Sequence, residues 1–309
     1  MNYKEKIIFS YIAFDSNPET TILPESIRKF AGGFSKSRIW MFIPESKDTL
    51  KQEVVEKLSS LEVEIIPFKI DPEILKFPFT SAVCAAAEAE KLALGETEFL
   101  VRFGTNSIVI KEPKHFLLER NKNLGYRPVH HTLIGSIFDE PIDEFWKIIY
   151  EKTKVKEENV FPMQTHVDGK ILRPYFNSGF LIVRPERGLF QEWWNQYKVL
   201  YKDPIFKKFY KKDDLYVTFI HQAVLSSVIL SNLDNKEIQE LPFEYNYPLN
   251  LYLESSKEYL PKKINDLVTA RYYLNKLTEG YEFEKIPFQD PFKSWLEEKI
   301  LHLRKLKEG

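Results

Sequence analysis

Glu98-Phe99-Leu100-Val101-Arg102-Phe103-Gly104-Thr105-Asn106-Ser107-Ile108-Val109-Ile110-Lys111-Glu112-Pro113 is an apolar β run, a short polar break, and a second extended run closed by proline. The β-formers of Phe99 to Phe103 read as an inner strand, and the glycine-led break ends it abruptly. Upstream, the chain alternates. Ile7 to Ala13, Arg38 to Ile43 and Val63 to Phe68 are strand-like; Ile22 to Phe30, Leu50 to Leu61 and Thr80 to Leu94 carry helix signals. Gly32-Gly33 and Gly95 stop two of those helices, and Asp48 is a suitable N-cap for Leu50 to Leu61. The β-α-β-α-β-α-β order predicts an α/β fold with a mainly parallel sheet flanked by helices. Ligands of such sheets bind at the carboxyl ends of the strands, so Gly104 to Ser107 is expected at a cleft.

Downstream the pattern is more broken. Strands are expected at Arg127 to Leu133 and Phe176 to Val183, and helices at Ile142 to Lys152, Gly188 to Tyr201 and Asp214 to Leu230. An irregular, Tyr- and Pro-rich C-terminal section follows, until Pro291 opens an amphipathic helix with Phe292, Trp295, Leu296, Ile300 and Leu303 on one side. With no internal repeat and no Gly/Ser linker, residues 1–309 are expected to form a single domain.

Composition narrows the function classes. The 309 residues carry 44 basic and 45 acidic side chains, which argues against a nucleic-acid partner. The 24 Phe and 16 Tyr suit an aromatic-heavy core or a stacked ligand cleft. Cys84 is the only cysteine, so there is no intramolecular disulfide, and its small apolar surroundings suit a buried thiol. No integral membrane segment and no signal segment are read, and the expected location is cytoplasmic.

Four segments carry possible chemistry. Arg173-Pro174-Tyr175-Phe176-Asn177-Ser178-Gly179 leads into an apolar strand through a turn whose amide and hydroxyl groups can bond sugar hydroxyls, or which is an ordinary turn. The Gly104 break is the second. The third is His221-Gln222 on a helix beginning at Asp213-Asp214. The fourth, Leu241-Pro242-Phe243-Glu244-Tyr245-Asn246-Tyr247-Pro248, is too polar and Pro-punctuated for a core strand.

In this order the four segments resemble the GT-A-type nucleotide-diphospho-sugar transferases, nearest to the family-8-like retaining glycosyltransferases. The resemblance spans roughly Ile7 to Pro248. It implies a GT-A-like, Rossmann-like fold with a nucleotide-binding half over 1–110, a sugar and acceptor half over 111–250, and a C-terminal extension over 251–309. The nucleotide pocket would lie near Ala13 and Phe14, and the sugar near Asn177, Ser178 and Gly179. Gln222 matches the family's Gln, while His221 falls where many members carry Asp. The implied partners are a nucleotide-sugar donor and an unknown acceptor.

The chain departs from the family at one telling place. Where the family carries Asp-X-Asp, this sequence has Gly104-Thr105-Asn106. Carboxylates there hold a divalent cation against the donor diphosphate; glycine has no ligand atom and asparagine offers one neutral oxygen. A metal such as Mn or Mg is therefore disfavoured and no cofactor is expected. Glu98 and Glu112 lie on the wrong side of the break to substitute. Arg102 shares a strand face with Gly104, so its guanidinium is a candidate for the diphosphate, with Arg173 and Lys111 as weaker ones; pairing with a carboxylate is its alternative role. Asp213, Asp214, Glu244 and Gln222 are the catalytic candidates, with no choice among them. Adjacent His130 and His131 on a strand would face opposite sides, and His166, near Asp168 in a Gly-containing turn, would bond backbone, so neither makes a metal site. The lysines of Lys198 to Lys212 read as a solvated helix face. A non-catalytic relative that keeps the pocket is the rival reading, and an interaction protein presenting the aromatics of Tyr245 to Tyr259 is a third.

Overall fold

The computed structural model describes residues 6–14, 18–45, 50–255, 257–273 and 287–308. Strands β1 (Ile7–Ile12), β2 (Arg38–Pro44), β3 (Val63–Phe68) and β4 (Phe99–Phe103) pair in parallel in the order β4-β1-β2-β3. On the other side of β4 lies β9 (Phe176–Val183), antiparallel to it, then β6 (Leu124–Pro128), antiparallel to β9, then β10 (Ile238–Glu240), parallel to β6. The seven strands thus form the expected mainly parallel sheet, with β4 inside it and β9 as the reversed strand.

Both faces of the sheet are covered. Period-two alternation sends Ile8, Ile12 and Leu100 to one core, and Ile7, Phe9 and Val101 to the other. The first core is closed by α3 (Thr80–Ala93), α4 (Glu144–Thr153), α5 (Leu189–Leu200) and α7 (Asp214–Asn232). The buried alanines of α3, among them Ala82, Ala85, Ala86 and Ala89, leave no bulk between that helix and β1, β2 and β4. Cys84 lies in this row; burial pushes its thiol up to about 12, so it stays protonated and packs as a small apolar group. The second core is closed by α1 (Ile22–Phe30) and α2 (Gln52–Ser60). The aromatics are mostly interior: Trp146, Trp193, Tyr175 and Tyr197 are among the largest fully buried side chains.

A second, three-stranded sheet, β11 (Tyr247–Pro248), β12 (Thr269–Arg271) and β5 (Ser107–Val109), stands beside the first, and β7 (Met163–Gln164) pairs with β8 (Ile171–Leu172). The extended run after Gly104 therefore leaves the main sheet and pairs antiparallel with β12. Helix α8 (Phe292–Glu308) lays Phe292, Trp295, Leu296, Ile300 and Leu303 into a third core with Ile22, Ile108 and Tyr247. Six-residue α6 (Lys207–Lys212) completes the helices described.

Some expectations need correction. The strand placed at Arg127 to Leu133 is β6, ending at Pro128; Leu133 has φ 47° and cannot sit in a strand. Helix α2 begins at Gln52 with Lys51 before it, and Asp48 lies outside the described residues. Leu241 to Pro248 forms no core strand, as expected: only Tyr247–Pro248 pairs, its prolines and Asn246 at φ 53° preventing more, although Leu241, Tyr245, Asn246 and Tyr247 are buried. Of the aromatics expected at a surface from Tyr245 to Tyr259, Tyr245 and Tyr247 are buried, and Tyr252 and Tyr259 are partly exposed. Helix α7 is long and apolar enough by length and composition to cross a membrane, but Ile220 to Leu230 is packed inside the fold against β9, α4 and α5.

Candidate functional site

An antiparallel strand begins where its parallel neighbours end. The start of β9 is therefore carried to the carboxyl ends of β1 and β4, which brings Asn177, Ser178 and Gly179 beside Gly104: the Gly104 amide donates to the Gly179 carbonyl at 2.7 Å. Thr105 Oγ1 donates to the Ile12 carbonyl at 2.5 Å, fixing the break to the end of β1. A cleft of about 540 Å³ opens here, within the usual size of small-molecule sites. Its floor holds Arg102, Gly104 to Asn106, Asn177 to Gly179, His221 and Gln222, and its rim includes Phe14, Phe79, Leu133 and Tyr273, all substantially exposed.

Most site residues named from the sequence line this one cleft. Ala13 does not; it is buried, and its amide donates to the Phe42 carbonyl. Asp213, Asp214 and Glu244 are also outside the lining. Asp213 is the N-cap of α7, accepting from the Leu215 amide at 2.9 Å, and the Glu244 carbonyl anchors the Val268 amide at 2.8 Å. Glu19 is the one carboxylate among the described lining residues. Arg173 and Lys111 are engaged elsewhere, on Ser136, Ile137 and Glu140 and on the Asp266 carbonyl respectively.

The polar floor is tightly ordered. Gln222 Oε1 accepts from the Ser178 amide at 2.9 Å, and Asn177 Oδ1 accepts from the Gly179 amide at 2.9 Å. His221 Nδ1 lies 2.8 Å from the Thr218 carbonyl, which can only accept, so Nδ1 carries the proton and Nε2 accepts from Ser178 Oγ at 3.0 Å. Burial, with Arg102 adding to it, pushes His221 down to about 3 against the help of Thr218. It is a neutral imidazole at physiological pH, with Phe79 stacked on it at 4.6 Å. Phe79 adopts φ 61°, a strained conformation for an aromatic residue that keeps its ring over the floor.

Charge is the unusual property of this cleft. Arg102 is 7 % exposed, its Nη1 has no hydrogen-bond partner, and Trp193 beneath it offers a ring face at 5.6 Å. A second guanidinium, unforeseen from the sequence, enters from β12. Arg271 Nη2 donates to Asn106 Oδ1 at 3.1 Å, and a Cβ at Gly179 would stand 2.6 Å from its Nη1. None of the ion pairs among the described residues involves either arginine. Burial, then Arg271, push Arg102 down to about 10, so it remains charged at neutral pH.

The Gly104-Thr105-Asn106 break offers a divalent cation few side-chain ligands. Gly104 supplies nothing, the Thr105 hydroxyl is committed to Ile12, and the single oxygen of Asn106 already accepts from a cation. Among the described residues no three His, Cys, Asp or Glu side chains are grouped to hold a metal. His130 and His131 both line the cleft, because β6 stops before them; the opposed strand faces expected for them do not exist. Both ring nitrogens of His130 are buried without partners. His166 Nε2 also lacks a partner, and its ring stacks on Tyr259 at 4.9 Å instead of bonding backbone. Asp168 is spent on the turn, accepting from Thr132 N at 2.8 Å and from the Thr165 hydroxyl.

A profile of the Rhodobacterales glycosyltransferase domain family matches residues 15–231. Among solved structures, the galactosyltransferase LgtC in complex with donor and acceptor sugar analogues aligns over 96% of this chain and 95% of its own, at 13% identity and a TM-score of 0.45. No curated protein matches the chain.

Proposed function

Since the chain belongs to the Rhodobacterales glycosyltransferase domain family, we propose that it transfers a sugar from a nucleotide diphospho-sugar bound in this cleft to an acceptor, without a conventional metal site. The observation that carries the reading is Arg102, a buried cation with no carboxylate partner among the described residues, at the carboxyl end of the central strand. Burying an unpaired charge costs several kcal/mol, and an anionic ligand is what offsets that cost. The diphosphate leaves with negative charge, and a fixed guanidinium already oriented toward it stabilises that charge as it develops. The sugar would lie against Asn177, Ser178 and Gln222, held in place by the Ser178 amide donating to Gln222 and the Gly179 amide donating to Asn177. Exposed Phe14 and Phe79 supply apolar faces for a base or sugar ring and exclude water.

One observation favours a second reading, a binding protein that has lost catalysis: Glu19 is the one carboxylate among the described residues lining the cleft. A calorimetric panel of UDP-, GDP-, ADP- and CDP-sugars, each with manganese or with EDTA, tests the site. One base class is expected to bind, with equal affinity in both conditions. A metal-dependent gain of tenfold or more, about 1.4 kcal/mol, would mean that metal ligands exist elsewhere. Release of nucleoside diphosphate with pooled acceptors then separates the enzyme from the binding protein.

A further inference from the structure

We infer that Arg271 is a built-in cation standing where a metal would stand, gripping the donor diphosphate together with Arg102. This rests on the cleft being a nucleotide diphospho-sugar site. Other arginines in this chain are spent on the fold. Arg28 donates to the carbonyls of Leu61, Ser35, Ser37 and Glu62, Arg127 to Glu240 and the Leu241 carbonyl, and Arg184 to Glu98 and the Lys122 carbonyl. Those guanidiniums hold the fold and are well satisfied. Arg271 makes one bond, to the neutral oxygen of Asn106, and is in no ion pair among the described residues. Its remaining donors face a cleft that already contains another uncompensated cation.

The bond it does make is the informative one. Asn106 is the second acidic position of the absent Asp-X-Asp, and there a carboxylate would bind a dication. Here the amide oxygen accepts from a cation that the chain itself supplies. The position is fixed: β12 pairs Arg271 with Ser107, the Tyr272 amide donates to the Asn106 carbonyl at 3.1 Å, and Asn106 Nδ2 donates to the Tyr272 carbonyl at 2.9 Å. Gly179 completes the arrangement, since any side chain there would collide with the guanidinium. Two guanidiniums carry the formal charge of one dication, and their planar forks match phosphate oxygens bidentately. A neutral amide in place of two carboxylates leaves that charge undiminished. Arg102 and Arg271 repel each other across the cleft, and the largest relief of both is a dianion between them.

The test is calorimetry with inorganic pyrophosphate and with UDP, GDP, ADP and CDP, all in EDTA, with thermal melts to check folding. The wild-type protein is expected to bind pyrophosphate and one nucleoside diphosphate without metal. Arg271→Ala should weaken both at least tenfold, with Arg271→Lys between it and wild type. Asn106→Asp gives the guanidinium a counter-charge without removing it, so affinity in EDTA should also fall; this variant carries the test if Arg271→Ala does not fold. If nucleoside diphosphate binds but Arg271→Ala and Asn106→Asp stay within twofold of wild type, the role of Arg271 is overturned and the donor cleft stands. Binding that appears only with manganese overturns the built-in cation as well. No binding of any of these probes, with or without manganese, overturns the donor cleft itself.

Discussion

At the residue scale, Arg102 sets ligand binding against stability. It is nearly buried, and among the described residues its charge is unmatched and only the Trp193 ring answers it, an interaction worth about 0.5–2 kcal/mol. Arg102→Met keeps much of the side-chain volume and removes the charge. The expected outcome is an unchanged or raised midpoint in urea unfolding, together with a loss of nucleoside diphosphate affinity worth about 1.5–3 kcal/mol. A parallel loss of both stability and affinity would make Arg102 a structural residue. The break itself makes a second prediction. A Cβ at Gly104 would come 3.2 Å from Asn106 Oδ1, a contact that small adjustment relieves, so aspartates at both positions should be tolerated. The pair Gly104→Asp and Asn106→Asp should nevertheless stay insensitive to manganese, because Arg271 would neutralise the second carboxylate. Adding Arg271→Ala should let manganese bind, detectable by electron paramagnetic resonance.

At the element scale, α3, α5 and α7 oppose each other in their response to acid. The N-cap of α5 is Gly188, which has no side chain to cap with, so Glu90 reaches across from α3 and accepts from the Gln191 amide at 2.9 Å. Burial pushes Glu90 up to about 7, despite those amide bonds. A raised carboxyl contributes stability that is complete below its unfolded value near 4.5 and is lost as pH rises through 7. His221 on α7 and His166 work the other way: burial pushes both down to about 3, so stability present above 6.5 is lost as pH falls. Between pH 4.5 and 6.5 the histidines outnumber Glu90, and acid destabilises the protein. Glu90→Gln keeps the acceptor and removes the titration. The unfolding free energy from urea titrations across this window should therefore fall more steeply as pH drops in the variant, by about 1.4 kcal/mol per pH unit. Elements of this kind were legible where the pattern is local: β3, β4, β9 and α1 have the bounds that alternation and helical spacing predict. The strand expected at Arg127 to Leu133 stands instead at Leu124–Pro128, where Gly125 lets Leu118 and Ile182 close over the backbone, a contact with no local signal in the sequence. Arg271 had no local signal beyond the short alternation Val268, Ala270, Tyr272, since what gives it meaning is Asn106, 165 residues earlier.

At the scale of the whole molecule, the cleft depends on parts with separate cores. Helix α8 is fastened to α1 through Glu25, which accepts from Trp295 Nε1 at 2.7 Å and pairs with Lys299 at 2.8 Å. Burial works against the Glu25 charge, yet Lys299 and Trp295 outweigh it and hold the carboxyl below its usual range. Trp295→Ala should cost about 3–5 kcal/mol in chemical unfolding, because it empties the centre of the third core. A net charge of -1 makes the attraction for diphosphate a local field of the cleft, so affinity should drop several-fold when salt is raised about tenfold. The pairing of β5 with β12 has one more consequence, and it concerns time. Asn106 leaves the ribosome well before Arg271 does, at synthesis rates of about 5–20 residues per second, so the main sheet can be assembled around a cleft still missing one of its two cations. If Arg271 has the role proposed for it, the nascent chain would lack that grip until the three-residue β12 pairs with β5, so competence would arrive as a discrete late event of folding.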